Sequence, residues 1–175
     1  MTSTGEARVT AWARHQEHLY EDGDDRPLGS LLAILGGYGA VTAALGLAVR
    51  ASSRELPERI SAGDLALLTV ATHKISRLAA KDPVTSPLRA PFTRFAGTSG
   101  EAELAEDVRG TGPRKAVGEL VTCPFCLGQW VVTALAFGLV LTPRPTRFVA
   151  SAFTALTGAD VLQLLYAKTQ TWATE

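Results

Sequence analysis

The sequence predicts an all-α fold, an integral membrane bundle of four transmembrane helices, or of three if residues 60–80 do not cross. Three observations predict it. Leu28 to Val49 runs 22 residues without a charge between Arg26 and Arg50. Leu120 to Thr142 is a second charge-free window, and Arg147 to Lys168 is apolar apart from Asp160. A helix needs about 20 apolar residues to cross a hydrocarbon core of ~30 Å.

The elements follow in order. Residues 1–27 are polar and acid-rich, and are expected to be a disordered N-terminal segment. Residues 28–49 form the first span, because a soluble helix would show a polar face every third or fourth position. This apolar core is longer, and begins later, than that of a cleavable secretory signal. Gly29, Ala33 and Gly37, like Gly36, Ala40 and Ala44, recur at the spacing that allows close helix approach in lipid. Residues 60–80 have a charge-free core only from Leu65 to Thr72, so they span only if Asp64, Lys74 and Arg77 reach the interfaces. Residues 81–122 read as a long, partly ordered loop, rich in proline and glycine, with the acidic stretch "GEAELAED". Helices 123–142 and 147–167 follow, separated by Pro143 and Pro145, and 169–175 is a short tail. Trp130 and Trp172 are expected interface anchors.

Lys and Arg counts set the orientation. In the four-span arrangement ten basic residues lie on the side of the 81–122 loop and five on the other. That makes the chain a multi-pass cell-membrane protein with the loop, Cys123 and Cys126 at the cytoplasmic face. The 17 basic and 17 acidic residues balance, so no global field draws the chain to nucleic acid. The expected partners are the lipid bilayer and a second copy or another membrane protein.

Chemistry-bearing residues are few. Cys123 and Cys126 are the two cysteines, spelled C-P-F-C, with Pro124 suited to the first helical position. A helix N-terminus favours thiolate, which suits redox work, but the βαβ setting of glutaredoxin-like proteins is missing. Two thiols also supply half of a tetrahedral zinc site, which His15 and His18 or the cysteines of a second copy would complete. The plainer reading makes them small side chains at a tight helix entrance, with no cofactor. His73, Arg77 and Lys81 lie along one helix face, and Arg89 follows beyond Asp82 and Pro83. They read as a collar for an anionic group such as a lipid phosphate, or as ordinary flanking charge. Asp160, inside an apolar helix, requires a partner, and its depth matches that of Lys74 or Arg77. An ion path through Asp160 is the alternative.

With these residues in place, the chain resembles a bacterial family of small membrane proteins, domain of unknown function 1360, some members of which are labelled sporulation proteins. The resemblance runs from about Ile60 to Tyr166 and rests on "HKISRLAAKDPVTSPLRAPF" and "GELVTCPFCLGQW". Arg77, Asp82, Arg89, Gly118, Glu119, Cys123, Pro124, Cys126 and Trp130 fall on its motif positions. The first 50 residues look like an addition to that core. The resemblance implies no activity, so the leading expectation is a non-enzymatic membrane component acting through protein or lipid contacts. The alternatives are a thiol-redox or zinc-binding protein using Cys123 and Cys126, or a small transporter component using Asp160.

Overall fold

A computed structural model describes residues 26–174 and, before them, residues 8, 9, 11, 12, 15–17, 19 and 20. The chain is mostly helical, at 76 % helix. The described positions between 8 and 20 are helical, and the rest of the segment expected to be disordered, His18 included, lies largely outside the described residues.

Helix α1 covers Leu28–Ala51 and α2 covers Ala62–Lys81. Ser61 starts α2: its hydroxyl accepts from the Asp64 N–H at 3.0 Å, satisfying a backbone donor of the first turn. Asp82 ends it, held extended by Pro83. A 3₁₀ turn at Pro83–Thr85 and the short helix α3, Ser86–Arg89, lead into strands β1, Thr93–Gly100, and β2, Glu103–Val108. Helix α4, Gly112–Thr122, precedes α5, Pro124–Leu141, and α6, Pro143–Thr174.

The expected loop 81–122 is thus a folded unit. Its strands pair antiparallel from Thr93 opposite Val108 to Gly100 opposite Glu103, with irregularities near Gly97 and between Thr98 and Gly100. β1 carries two glycines and β2 three acids, and neither shows the apolar alternation that marks a half-buried strand, which is why the sequence hides them. The tail also departs from expectation, since α6 continues to Thr174. Pro143 and Pro145 do not interrupt it, because backbone N–H groups in the first turn of a helix need no intrahelical acceptor.

The long helices stand side by side with shared levels. Arg147 on α6 meets Asp64 on α2 at 2.7 Å, Thr154 donates to the Leu67 carbonyl at 3.4 Å, and Lys74 meets Asp160 at 2.6 Å. These contacts climb together, so α2 and α6 run parallel. Arg26 to Glu119, Tyr38 to Thr133 and Arg54 to Val140 climb together too, so α1 lies parallel to α5. The core is Leu68, Ala71, Leu135 and Ala150, from α2, α5 and α6, with Ile75, Val131 and Phe153 packed around it. Gly138 allows α5 and α6 to turn tightly, since a Cβ there would lie 2.7 Å from Thr146 Oγ1.

Among the described residues, three helices are long and apolar enough to cross a membrane: Leu28–Ala51, Pro124–Leu141 and Pro143–Trp172. Their outer faces expose large apolar side chains such as Leu32, Leu47, Phe148 and Leu162, as a lipid-facing surface does.

Candidate functional site

Arg77, Asp82 and Arg89 gather where α2 ends, beneath the hairpin. Arg89 sits at the centre, with its side chain 1 % exposed. Its guanidinium pairs with Glu106 of β2 and donates to the Ala79 carbonyl at 2.8 Å, Thr85 Oγ1 at 2.6 Å and the Asp82 carbonyl at 3.1 Å. The planar fork of five donors suits this, because it satisfies carbonyls left open where α2 stops. Asp82 turns its carboxylate to the Val84 N–H at 2.8 Å, fixing the turn after the helix. Arg77 forms a forked pair with Glu103, at 2.5 and 2.6 Å from one terminal nitrogen. Of the expected collar, Arg89 is turned inward and buried, whereas Arg77 stays partly exposed with its charge matched by Glu103. His73 is exposed beside them.

Helix α4 brings in the second motif. Gly118 is buried, and a Cβ there would lie 2.6 Å from Val108 Cγ1 and 3.1 Å from the Phe92 carbonyl oxygen, so only glycine lets α4 reach the hairpin. Glu119 faces Arg26 at 3.4 Å, a partly exposed contact that ties α4 to the start of α1. Cys123 caps α5, its sulfur accepting from the Cys126 N–H at 3.2 Å, and Pro124 occupies the first turn. Both thiols are free; Cys123 is half-buried and Cys126 exposed. Trp130 meets the ring of Tyr38 edge-on, at 5.3 Å between centroids and 74° between planes. Tyr38 also hydrogen-bonds Thr133 at 2.8 Å, so α1 is held to α5 by this aromatic and polar pair.

A cleft of about 620 Å³ opens beside the hairpin turn, lined by His73, Lys74, Arg77, Glu103 and Asp160 among others. Its two cations are paired, Lys74 with Asp160 at 2.6 Å and Arg77 with Glu103 at 2.5 Å, and Asp82 and Glu101 add two further acids to the lining. The structure brings Asp160 to Lys74 rather than to Arg77. Among the described residues, no group of three or more His, Cys, Asp or Glu stands where it would hold a metal ion. His15 is described and exposed.

Residues 67–166 match the family described as "Protein of unknown function (DUF1360)". The chain belongs to that family. It is also similar to the sporulation protein YjcA of Bacillus subtilis (strain 168), at 26 % identity over 107 residues, 59 % of this chain and 91 % of the relative. No solved structure matches the chain. The resemblance read from the motifs is borne out, and the match begins within α2, so α1 lies before it.

The sequence did not reveal the partners of the motif arginines. Glu103 and Glu106 lie in "GEAELAED", which reads as a solvated acidic run. The one available signal was the demand for neutralisation, since Arg77 and Arg89 sit at the end of an apolar bundle and each needs a carboxylate.

Proposed function

We propose that the chain is a four-span, non-enzymatic membrane component that acts through protein or lipid contacts, with the hairpin unit 82–122 at the cytoplasmic face. The observation that carries this reading is the use of the motif side chains. Arg77, Arg89 and Gly118 join helices to the hairpin, Asp82 fixes the turn after α2, Glu119 faces Arg26, and Cys123 and Pro124 start α5. A set of residues committed in this way builds a rigid shape; a reaction would need some of them free to meet a substrate.

The fourth span is α2. Its 20 residues amount to ~30 Å, and its two ends lie at the levels of the neighbouring helix ends. Its charges exclude it by composition, at about 3 kcal/mol for each unpaired one near the middle of a bilayer. Yet Asp64, Lys74 and Arg77 each have an opposite charge from another element, at 2.7, 2.6 and 2.5 Å. Pairing removes most of the reason to keep the helix out of lipid. The Lys and Arg distribution favours the hairpin on the cytoplasmic side.

The test uses the full chain with Cys123 and Cys126 changed to Ser, carrying a single new cysteine at Glu55 or at Glu101. In intact cells a membrane-impermeant maleimide is expected to label the first and spare the second. Labelling of both positions, or of Glu101 alone, rejects the arrangement. A photo-crosslinker at the exposed Phe95 is expected to trap the same protein partner in this serine background as in the native chain. Loss of that product on removal of the thiols would favour redox or zinc chemistry instead. One observation favours a second reading: Asp160 lines the cleft, so transport predicts solute uptake by reconstituted vesicles that Asp160→Asn abolishes.

A further inference from the structure

Beneath the hairpin Lys74, Arg77 and Arg89 are each paired with a carboxylate, whereas at the opposite end of the bundle every basic residue is an arginine: Arg50, Arg54, Arg59, Arg144 and Arg147. A groove of about 690 Å³ lies there, between the connection joining α1 to α2 and the last turns of α5. Its lining combines the apolar side chains of Leu56, Ile60, Phe137 and Leu139 with the guanidinium groups of Arg54 and Arg59. Arg54 is fixed, because it donates to the Val140 carbonyl at 3.0 Å, one of the acceptors left open at the C-terminus of α5. That bond uses one of five guanidinium N–H groups. Arg59 meets no carboxylate among the described residues. Arg147 and Asp64 also border the groove, but they neutralise each other at 2.7 Å. Glu55 is the remaining acid on the lining, and Glu58, exposed in the same connection, is not part of it, so among the lining residues two arginines face one carboxylate.

We infer that this groove is a binding site for the phosphodiester of an anionic phospholipid, with an acyl chain along the apolar side chains. Arginine forks match phosphate oxygens two at a time, which a row of lysines would not. The surplus of one charge fits a lipid carrying a single negative charge. A free phosphate would find the arginines but leave the apolar side chains unused. The groove sits at the helix ends, where headgroups lie when the helices are in a bilayer. The inference rests on the spanning arrangement proposed above, and does not depend on which face of the membrane holds the hairpin.

The experiment reconstitutes the full chain into nanodiscs of phosphatidylcholine mixed with phosphatidylglycerol, then counts retained lipids by native mass spectrometry. Phosphatidylglycerol is expected to stay bound in preference. Arg59→Gln, which removes no ion pair among the described residues, is expected to cut its retention about tenfold, the worth of one charge-assisted hydrogen bond. Arg144→Gln, outside the groove, is expected to change nothing, and inorganic phosphate is expected not to displace the lipid. Equal retention of both lipids, or an Arg59→Gln chain that behaves as the parent does, overturns the site. Displacement by inorganic phosphate reassigns the groove to a soluble anion and also overturns it. A chain that fails to enter the discs overturns the spanning arrangement itself, an outcome distinct from insertion without lipid preference.

Discussion

Arg89 and Glu106 form an ion pair in which the two side chains are 1 % and 6 % exposed, and it joins the end of α2 to the second strand of the hairpin. Removing one partner leaves an uncompensated buried charge, which costs about 3–5 kcal/mol. Arg89→Gln and Glu106→Gln are each expected to lower the thermal unfolding midpoint of the detergent-purified chain, and to expose the hairpin to limited proteolysis. Arg89→Lys is expected to fail almost as badly, because one ammonium cannot reach Glu106, Thr85 and two carbonyls together. A lysine variant as protease-resistant as the parent would show that charge alone matters here.

Close approach of backbone to hairpin explains Gly118. A methyl group there would meet Val108 Cγ1 at 2.6 Å, so Gly118→Ala is expected to cost about 1–3 kcal/mol through overpacking. Val108→Ala alone leaves a gap, but in the double variant the new methyl group occupies part of it. The double variant is therefore expected to be more stable than the sum of the two single losses, by a double-mutant cycle. Strict additivity would place the strain against the Phe92 carbonyl oxygen instead, at 3.1 Å.

Cys123 accepts the Cys126 N–H as the cap of α5. A serine oxygen performs the same task, so Cys123→Ser is expected to be neutral to within about 0.5 kcal/mol, while Cys123→Ala loses about 1 kcal/mol. The same pair of variants separates structure from chemistry. A thiol cycle or a zinc site would be lost equally in both, whereas a cap distinguishes them. Denaturation midpoints of the two proteins, together with metal content, give the measurement.

How much of this was legible in the sequence varies with the kind of force involved. The apolar helices were, because an uninterrupted run such as Leu28 to Val49 has few alternatives to a span. The level shared by Asp160 and Lys74 was legible too, because helical rise converts residue counts into depth. The hairpin was not. Its strands are held by long-range pairs, Arg77 to Glu103 and Arg89 to Glu106, which are 26 and 17 residues apart. No local periodicity reports such contacts. The inward turn of Arg89 was hidden for the same reason, since an arginine in a proline-flanked segment reads as exposed.

Lys74 and Asp160 supply the sharpest test of how α2 is accommodated. Their atoms approach to 2.6 Å, and the lysine is the more buried of the two. If α2 crosses the bilayer, Asp160→Asn leaves a lone ammonium inside it, and Lys74→Met leaves a lone carboxylate. Each single change is therefore expected to lower the steady-state amount of protein in the membrane severalfold, by ~2–3 kcal/mol of insertion and packing. The double change Lys74→Met with Asp160→Asn removes both charges, so it is expected to recover most of the loss, and the exchange Lys74→Asp with Asp160→Lys to recover part. Quantitative immunoblotting of washed membranes measures all four. A polar surface helix outside the bilayer would give another pattern, because an exposed pair contributes only ~0–1 kcal/mol and neither single change would matter. Recovery in the double variant thus reports that the pair stands in a low-dielectric surrounding, as the spanning arrangement of α2 requires, since only there is one unpaired charge worse than none.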